Sequence, residues 1–115
     1  MEQSNQDVFE LHSIDDVTSL VSIQPEATVS RTVMSTEGGN IVVFAMDKGQ
    51  ELSEHTAAMP VFVQVLQGKV TITSGDKKTE LVQGGLVYFP VRLPHAVLAE
   101  EPTIMMLTMN TAARA

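Results

Sequence analysis

The sequence predicts an all-β fold in which one antiparallel barrel or sandwich occupies most of the chain. Short runs rich in valine, isoleucine and threonine recur along the sequence, and glycine, asparagine, aspartate or proline separates them at close intervals. This spacing of strands and turns is typical of sandwiches and barrels. The chain has 115 residues, 43% of them hydrophobic, which suits a single domain with a real core.

The elements follow in order along the chain. Near the start, Ser13 or Asp15 is suited to cap a short helix that runs to about Val21. Turn residues that favour hairpins follow the first predicted strand at Gly38-Gly39-Asn40 and the fifth at Ser74-Gly75-Asp76-Lys77. The nine predicted strands are Val29–Ser35, Ile41–Asp47, Leu52–Thr56, Val61–Leu66, Lys69–Thr73, Thr79–Val82, Leu86–Phe89, His95–Ala99 and Thr103–Met109.

Two strands are apolar on both faces rather than alternating. They contain Ile41–Met46 and Thr103–Leu107. Strands of this kind are usually covered on both sides, so the second cover must come from a partner chain or from a flanking segment. Dimerisation is the simpler explanation, and we expect a homodimer.

The pattern divides the chain into a polar leader at 1–28, a barrel at 29–110 and a short tail at 111–115. The first ten residues contain no apolar stretch of signal-peptide length, and no apolar run approaches the about 20 residues of a membrane-spanning helix. We therefore expect a cytoplasmic protein without a membrane partner.

Composition excludes several functional classes. The net charge is −7 and the longest basic cluster is Lys77-Lys78, which makes nucleic acid a poor partner. The absence of cysteine removes thiolate metal sites and cysteine nucleophiles. No glycine-rich phosphate loop or hydrolase motif occurs, so nucleotide binding and common hydrolysis have no support.

Three histidines are the main candidates for chemistry. His12 lies in the acidic leader and is interpreted as a surface residue, whereas His55 and His95 each lie beside a turn at a strand end. Loops at such positions often form the rim of a site.

The surroundings of His55 resemble the first motif of the cupin superfamily. That motif is a glycine, five residues, a histidine, one residue, a second histidine, three or four residues, a glutamate, six residues and a glycine. Gly49, His55 and Gly68 match it, while Ala57 replaces the second histidine and Val61 the glutamate.

The segment before His95 resembles the second cupin motif, which is a glycine, five residues, a proline, one residue, a glycine, two residues and a histidine. Gly84, Pro90 and His95 match, and Arg92 stands at the second glycine. The likeness to small single-domain cupins of the type-2 conserved-barrel family extends from about Val29 to Met109. It implies a conical antiparallel barrel, or jelly roll, that pairs into dimers and holds its pocket inside.

The resemblance also implies a metal site, because in metal-binding cupins the matching residues hold one iron, manganese, nickel, copper or zinc ion. Only His55 and His95 remain of that set, whereas zinc and non-haem iron sites use at least three protein ligands. Alternation along a strand directs Glu54 and Gln64 away from the interior. One divalent ion and no metal at all both remain open.

In the metal-free alternative, His55 and His95 face each other as hydrogen-bonding or proton-transfer groups, and hence as candidate catalytic residues. Tyr88 is a possible further donor, Met59 a flexible lip, and Arg92 a rim group for an anion. The candidate ligand pocket comprises Ala57, Met59, Val61, Val63, Tyr88, Arg92 and Val97.

Two functions from different classes follow. The first is a small-metabolite enzyme of cupin type, which is a metal-assisted dioxygenase, isomerase or lyase or a metal-free acid–base catalyst. The second is a non-catalytic module that senses or sequesters a small molecule, since a fold alone does not determine function. Both require a small-molecule ligand inside the barrel.

Overall fold

The computed structural model describes residues 10–110 and confirms the all-β prediction. Within these residues the only helix is a single 3-10 turn at Val17–Leu20. The nine strands are β1 Thr28–Ser35, β2 Asn40–Met46, β3 Glu51–His55, β4 Val61–Gln67, β5 Lys69–Ser74, β6 Lys77–Val82, β7 Leu86–Phe89, β8 His95–Ala99 and β9 Thr103–Met109.

The helical turn is shorter than predicted, and its N-cap is one residue after the nearer of the two proposed caps. Asp16 is the N-cap, and its Oδ1 accepts hydrogen bonds from the backbone N and the side-chain Oγ1 of Thr18, at 3.0 and 2.6 Å. These bonds lower the pKa of the exposed Asp16 carboxyl. Val21 is already extended, so the segment makes one turn and then crosses the sheet as irregular chain.

Two antiparallel sheets face each other. One has five strands in the order β1-β2-β9-β4-β7, and the other has four in the order β3-β8-β5-β6. Four connections, 47–50, Gly68, 83–85 and 100–102, pass between the sheets at one end, which we call the closed end. The connections 56–60 and 90–94 and the hairpin turn at 75–76 lie at the other end, which we call the mouth.

The core lies between the two sheets. In β4, Val61, Val63 and Val65 point inward and are almost fully buried, while Phe62 and Gln64 alternate with them on the outer face, as the strand period predicts. Burying a valine or methionine side chain is worth roughly 1.5–3 kcal/mol. The buried inner residues are Met46, Val61, Val63, Val65, Val70, Ile72, Phe89, Val97, Ala99 and Met105.

The outer face of the five-stranded sheet carries a second apolar cluster around Val43, Ala45 and Ile104. Val17 and Val21, from the segment before β1, pack against it. A flanking segment of the same chain therefore covers these two apolar strands, which is the alternative to a partner chain that the sequence left open. The homodimer itself stays a prediction.

The described chain places the segment 10–27 before the first strand and all nine strands between residues 28 and 109. The predicted tail, 111–115, lies outside the described residues. No helix among those described is long and apolar enough to cross a membrane.

Candidate functional site at the mouth of the barrel

Two histidines lie side by side at the mouth. His55 ends β3 and His95 begins β8, and the register of these neighbouring strands pairs the two residues directly. Their ring centroids are 4.4 Å apart, with an angle of 63° between the ring planes. A register irregularity between Leu52 and His55 precedes the pair. Glu54 is exposed within this stretch.

Backbone carbonyls select the tautomer of both rings. Nδ1 of His55 lies 2.7 Å from the carbonyl oxygen of Ser53, and Nδ1 of His95 lies 2.8 Å from that of Leu93. A carbonyl oxygen only accepts, so each Nδ1 donates and carries the hydrogen. In the neutral ring, Nε2 then has a free lone pair, which can accept a proton or a hydrogen bond.

The two histidines differ in their environment. His55 is exposed, whereas His95 is 5% exposed and stacks on Phe89 with ring centroids 3.8 Å apart and planes 5° from parallel. Burial lowers the pKa of His95, and the neighbouring His55 lowers it further, against the opposing effect of the Leu93 carbonyl. His95 is therefore a neutral base at neutral pH.

The polar row continues across the four-stranded sheet. Thr73 pairs with Ala96, which places Ser74 beside His95, and Ser74 pairs with Lys77 across the β5–β6 hairpin. Ser74 Oγ donates a hydrogen bond of 2.6 Å to the Pro94 carbonyl. Cross-strand neighbours share a face, and the alternate β5 residues Val70 and Ile72 are in the inner core. We call His55, His95, Ser74 and Lys77 the mouth row.

A cleft of about 230 Å³ opens beside this row. Phe89 both borders the cleft and stacks on His95, so one aromatic ring contacts the open space and the imidazole. The cleft is lined by Ile72, Ser74, Lys77, Lys78, Thr79, Val87, Tyr88, Phe89 and Leu93.

Most of the predicted pocket residues are buried or half-buried and do not line the cleft beside the mouth row. Val61, Val63 and Val97 point inward and are each 2% exposed within the core. Ala57 packs against the same core, and Met59 is half-buried in the loop that follows. The ligand pocket among these side chains stays a prediction.

Tyr88 lies on the outer face of the five-stranded sheet, and its role as a hydrogen-bond donor stays a prediction. Phe89 points inward, so its neighbour Tyr88 points to the outer face, where its ring lies 4.9 Å from that of Phe62. Tyr88 still borders the cleft, but Phe89 is the aromatic residue that contacts His95. Strand alternation alone predicts this exchange once Phe89 is assigned to the core.

Arg92 has the left-handed backbone conformation that the motif glycine would adopt. Its φ is 66°, and its backbone N donates a hydrogen bond of 2.9 Å to the carbonyl of Ala57. The two loops of the mouth are thereby joined. Its exposed side chain is not among the residues that line the cleft.

The residues present do not fit a closed metal site. Across residues 10–110, no group of three or more histidine, cysteine, aspartate or glutamate side chains is placed to hold an ion. The half-buried methyl of Ala57 and the buried Val61 stand at the two positions that would complete the set. Two imidazoles are fewer ligands than zinc or non-haem iron usually takes.

Comparison with known proteins gives a consistent result. A family model described as a cupin domain matches residues 42–109. A conserved protein of unknown function from Streptococcus pyogenes is 30% identical, with a TM-score of 0.77 over 89% of this chain and 90% of that one. A cupin superfamily protein from Desulfitobacterium hafniense has a TM-score of 0.78 at 20% identity, over 90% of this chain and 94% of that one.

A third structure, an RmlC-like cupin protein from Desulfovibrio desulfuricans, has a TM-score of 0.77 at 24% identity, over 88% of this chain and 97% of that one. The two likenesses below 25% identity concern the fold alone. The search of curated protein sequences finds no match.

Proposed function

This chain belongs to the cupin family, and from that premise we propose that it binds a small molecule at the barrel mouth without a resident metal ion. Nε2 of His55 and of His95 would accept a proton or a hydrogen bond from that molecule. The observation that carries the proposal is the pair of Nδ1–H donors engaged by the Ser53 and Leu93 carbonyls, which leaves both Nε2 atoms as acceptors.

The electrostatics of the pair favour a neutral His95 ring, which accepts a hydrogen bond without taking up the proton. Burial and the adjacent imidazole both lower the pKa of His95. Protonating one ring would place a positive charge 4.4 Å from the other, at the distance of the two centroids. A neutral or acidic ligand group with an O–H is the natural partner of two such acceptors.

The same arrangement is suited to proton-transfer chemistry of the isomerase or lyase type, because a base of lowered pKa stays unprotonated near neutral pH. Dioxygenase chemistry of the cupin type requires a metal, which the donor set does not fit. The burial of His95 beneath Phe89 favours the second candidate, a non-catalytic binding module, because little of this base faces solvent. Homodimerisation and a cytoplasmic location stay predictions.

Phenol and anisole form a matched pair of probes for the proposal, since they differ in the O–H donor. We expect phenol to shift the side-chain nitrogen resonances of His55 and His95 in NMR spectra, and anisole to shift them much less. The free protein is expected to show the Nδ1–H tautomer for both rings. An Nε2–H tautomer, or equal responses to the two probes, would contradict the acceptor assignment.

Zinc titration calorimetry tests the metal-free part. The parent protein is expected to bind zinc weakly, and the double variant Ala57→His with Val61→Glu to bind it at least about a hundredfold more tightly, because it adds an imidazole and a carboxylate beside the existing pair. Stoichiometric, tight zinc binding by the parent would overturn the metal-free proposal. Unchanged weak affinity in a folded double variant would show that the four positions do not converge.

A further inference from the structure

We propose that the ligand of the mouth is a small organic acid whose carboxylate is held by Lys77 and whose apolar body lies against Phe89. This assignment rests on the proposed function and adds the ligand class. It identifies a binding residue, Lys77, that lies outside both sequence motifs.

The position of Lys77 follows from strand register. Lys77 pairs with Ser74, which lies next to His95 on the neighbouring strand. Thr79, two residues further along the same strand, pairs with Ile72, whose side chain is in the inner core. Lys77 and Thr79 are two residues apart and share a face, so an ammonium and a hydroxyl are presented toward the cleft from the same edge strand.

Charge distribution points to an anion. The whole chain carries 14 acidic residues and a net charge of −7, yet no aspartate or glutamate is among the residues that line this cleft. Among residues 10–110, Lys69 forms an ion pair with Glu80 at 3.6 Å, and no such pair is recorded for Lys77. A cationic side chain without an internal carboxylate is available to a ligand carboxylate.

Lys78 is distinguished from Lys77 by its surroundings. Lys78 alternates to the outer face, where it also lines a second cleft of about 180 Å³ together with Glu51 and Glu100. Carboxylates of the protein already lie around that space. Lys77 is therefore the lysine assigned to the ligand.

The apolar residues that line the cleft determine the rest of the ligand. Ile72 and Phe89 are each 3% exposed, and Val87 and Leu93 are half-buried, so together they form an apolar wall. The volume of about 230 Å³ is below the roughly 300–1,000 Å³ of pockets for drug-sized ligands. One inner-face ammonium and an apolar wall match a small monocarboxylate better than an inorganic phosphate, which has no apolar part.

Benzoate and benzamide provide the test, because they have similar shape and differ in charge. Binding is followed by NMR shifts of the Thr79, Val87 and Phe89 amides in the parent, in Lys77→Met and in Lys48→Met. Lys48 is an exposed turn lysine at the closed end, so both variants change the net charge equally. The parent is expected to bind benzoate about tenfold more tightly than benzamide, and only Lys77→Met is expected to lose that preference.

Equal affinity for benzoate and benzamide, no detectable benzoate binding, or equal losses in both lysine variants would each overturn the proposal. Competition by sulfate at the same concentration as benzoate would also overturn it, because a general anion site would then explain the binding. If phenol binds at the histidines and benzoate fails, only the carboxylate assignment falls. If benzoate binds through Lys77 and phenol leaves the histidines unchanged, only the acceptor role falls.

Discussion

The polar groups at the closed end and at the mouth of the barrel differ in their hydrogen-bond partners. At the closed end, Thr103 is fully buried, and its Oγ1 lies within hydrogen-bond distance of the Glu101 carbonyl at 2.8 Å and of the Lys69 backbone N and O, each at 3.2 Å. At the mouth, the described residues provide partners for Nδ1 of His55 and of His95 but none for either Nε2.

Because of this difference, we assign stability to the polar groups of the closed end and ligand recognition to those of the mouth. Buried polar groups that have partners within the chain join the two sheets. Leaving one such group unpaired costs about 1–3 kcal/mol of stability. Groups at the mouth that the fold does not pair remain available to a ligand. We expect substitutions at the closed end to change the free energy of unfolding, and substitutions at the mouth to change pH dependence and binding.

The largest predicted effect is at Gly68, in the closed-end connection. Its φ is 96°, and an added Cβ would lie 2.6 Å from Thr103 Oγ1, 2.8 Å from Thr103 Cα and against the Pro102 carbonyl oxygen. Gly68→Ala is expected to lower the free energy of unfolding by roughly 3–5 kcal/mol, from backbone strain and overpacking together.

Gly49→Ala is the matched control for this prediction. Its φ is 88° and no atom lies within 4 Å of an added Cβ, so only the strain of about 1–2 kcal/mol is expected. Chemical denaturation of both variants measures the difference. Equal losses would show that close packing at the closed end does not contribute.

We expect the free energy of unfolding to depend on pH through His95, and this effect should be intermediate in size. Its pKa in the folded protein is lowered from 6.5, so below about pH 6.5 the unfolded chain binds a proton that the folded chain does not. The free energy of unfolding should therefore fall as pH decreases through 6.5 and stop falling on this account below the folded pKa. Stability is retained at higher pH, where both states leave this histidine neutral.

The contribution of His95 is obtained by comparing parent and His95→Gln at each pH from 7.5 to 5. The variant should lose part of the pH dependence in this window. Parallel curves for parent and His95→Gln would contradict the lowered pKa at the mouth.

The smallest effect is expected at Arg92, the residue with left-handed backbone at the mouth. Arg92→Gly relieves about 1–2 kcal/mol of strain but adds roughly 0.4–1 kcal/mol of unfolded-state entropy, so the net gain should lie between about 0 and 1.6 kcal/mol. Arg92→Val should instead be destabilising, because a β-branched residue fits this conformation poorly. A loss of stability in Arg92→Gly would mean that the arginine side chain stabilises the loop.

Much of the fold was predictable because its signals are local. All nine strands were predicted, and their observed limits differ by at most two residues. The largest shift is at β6, which starts at Lys77 because the hairpin turn is only Gly75-Asp76. Turn glycines and alternating apolar residues act over a few positions, so they can be interpreted without knowing which strands pair.

The site was predicted only in part. His55 and His95 stand in recognisable motifs, but the role of Lys77 depends on a register that joins β6, β5 and β8. Phe89 was treated as an ordinary strand residue, and its stacking on His95 requires the two sheets to face each other. The cover over β2 and β9 likewise comes from the segment before β1, a contact that strand pattern does not specify.

The sequence by itself determined the all-β class, the turns and the loss of two metal-ligand positions, because residue identity and short-range geometry decide these. Only the packing of distant strands brings Phe89 onto His95 and Lys77 into the mouth row. The physical reason is that burial and cross-strand proximity depend on how distant strands pack, and many pairings are compatible with the same local pattern.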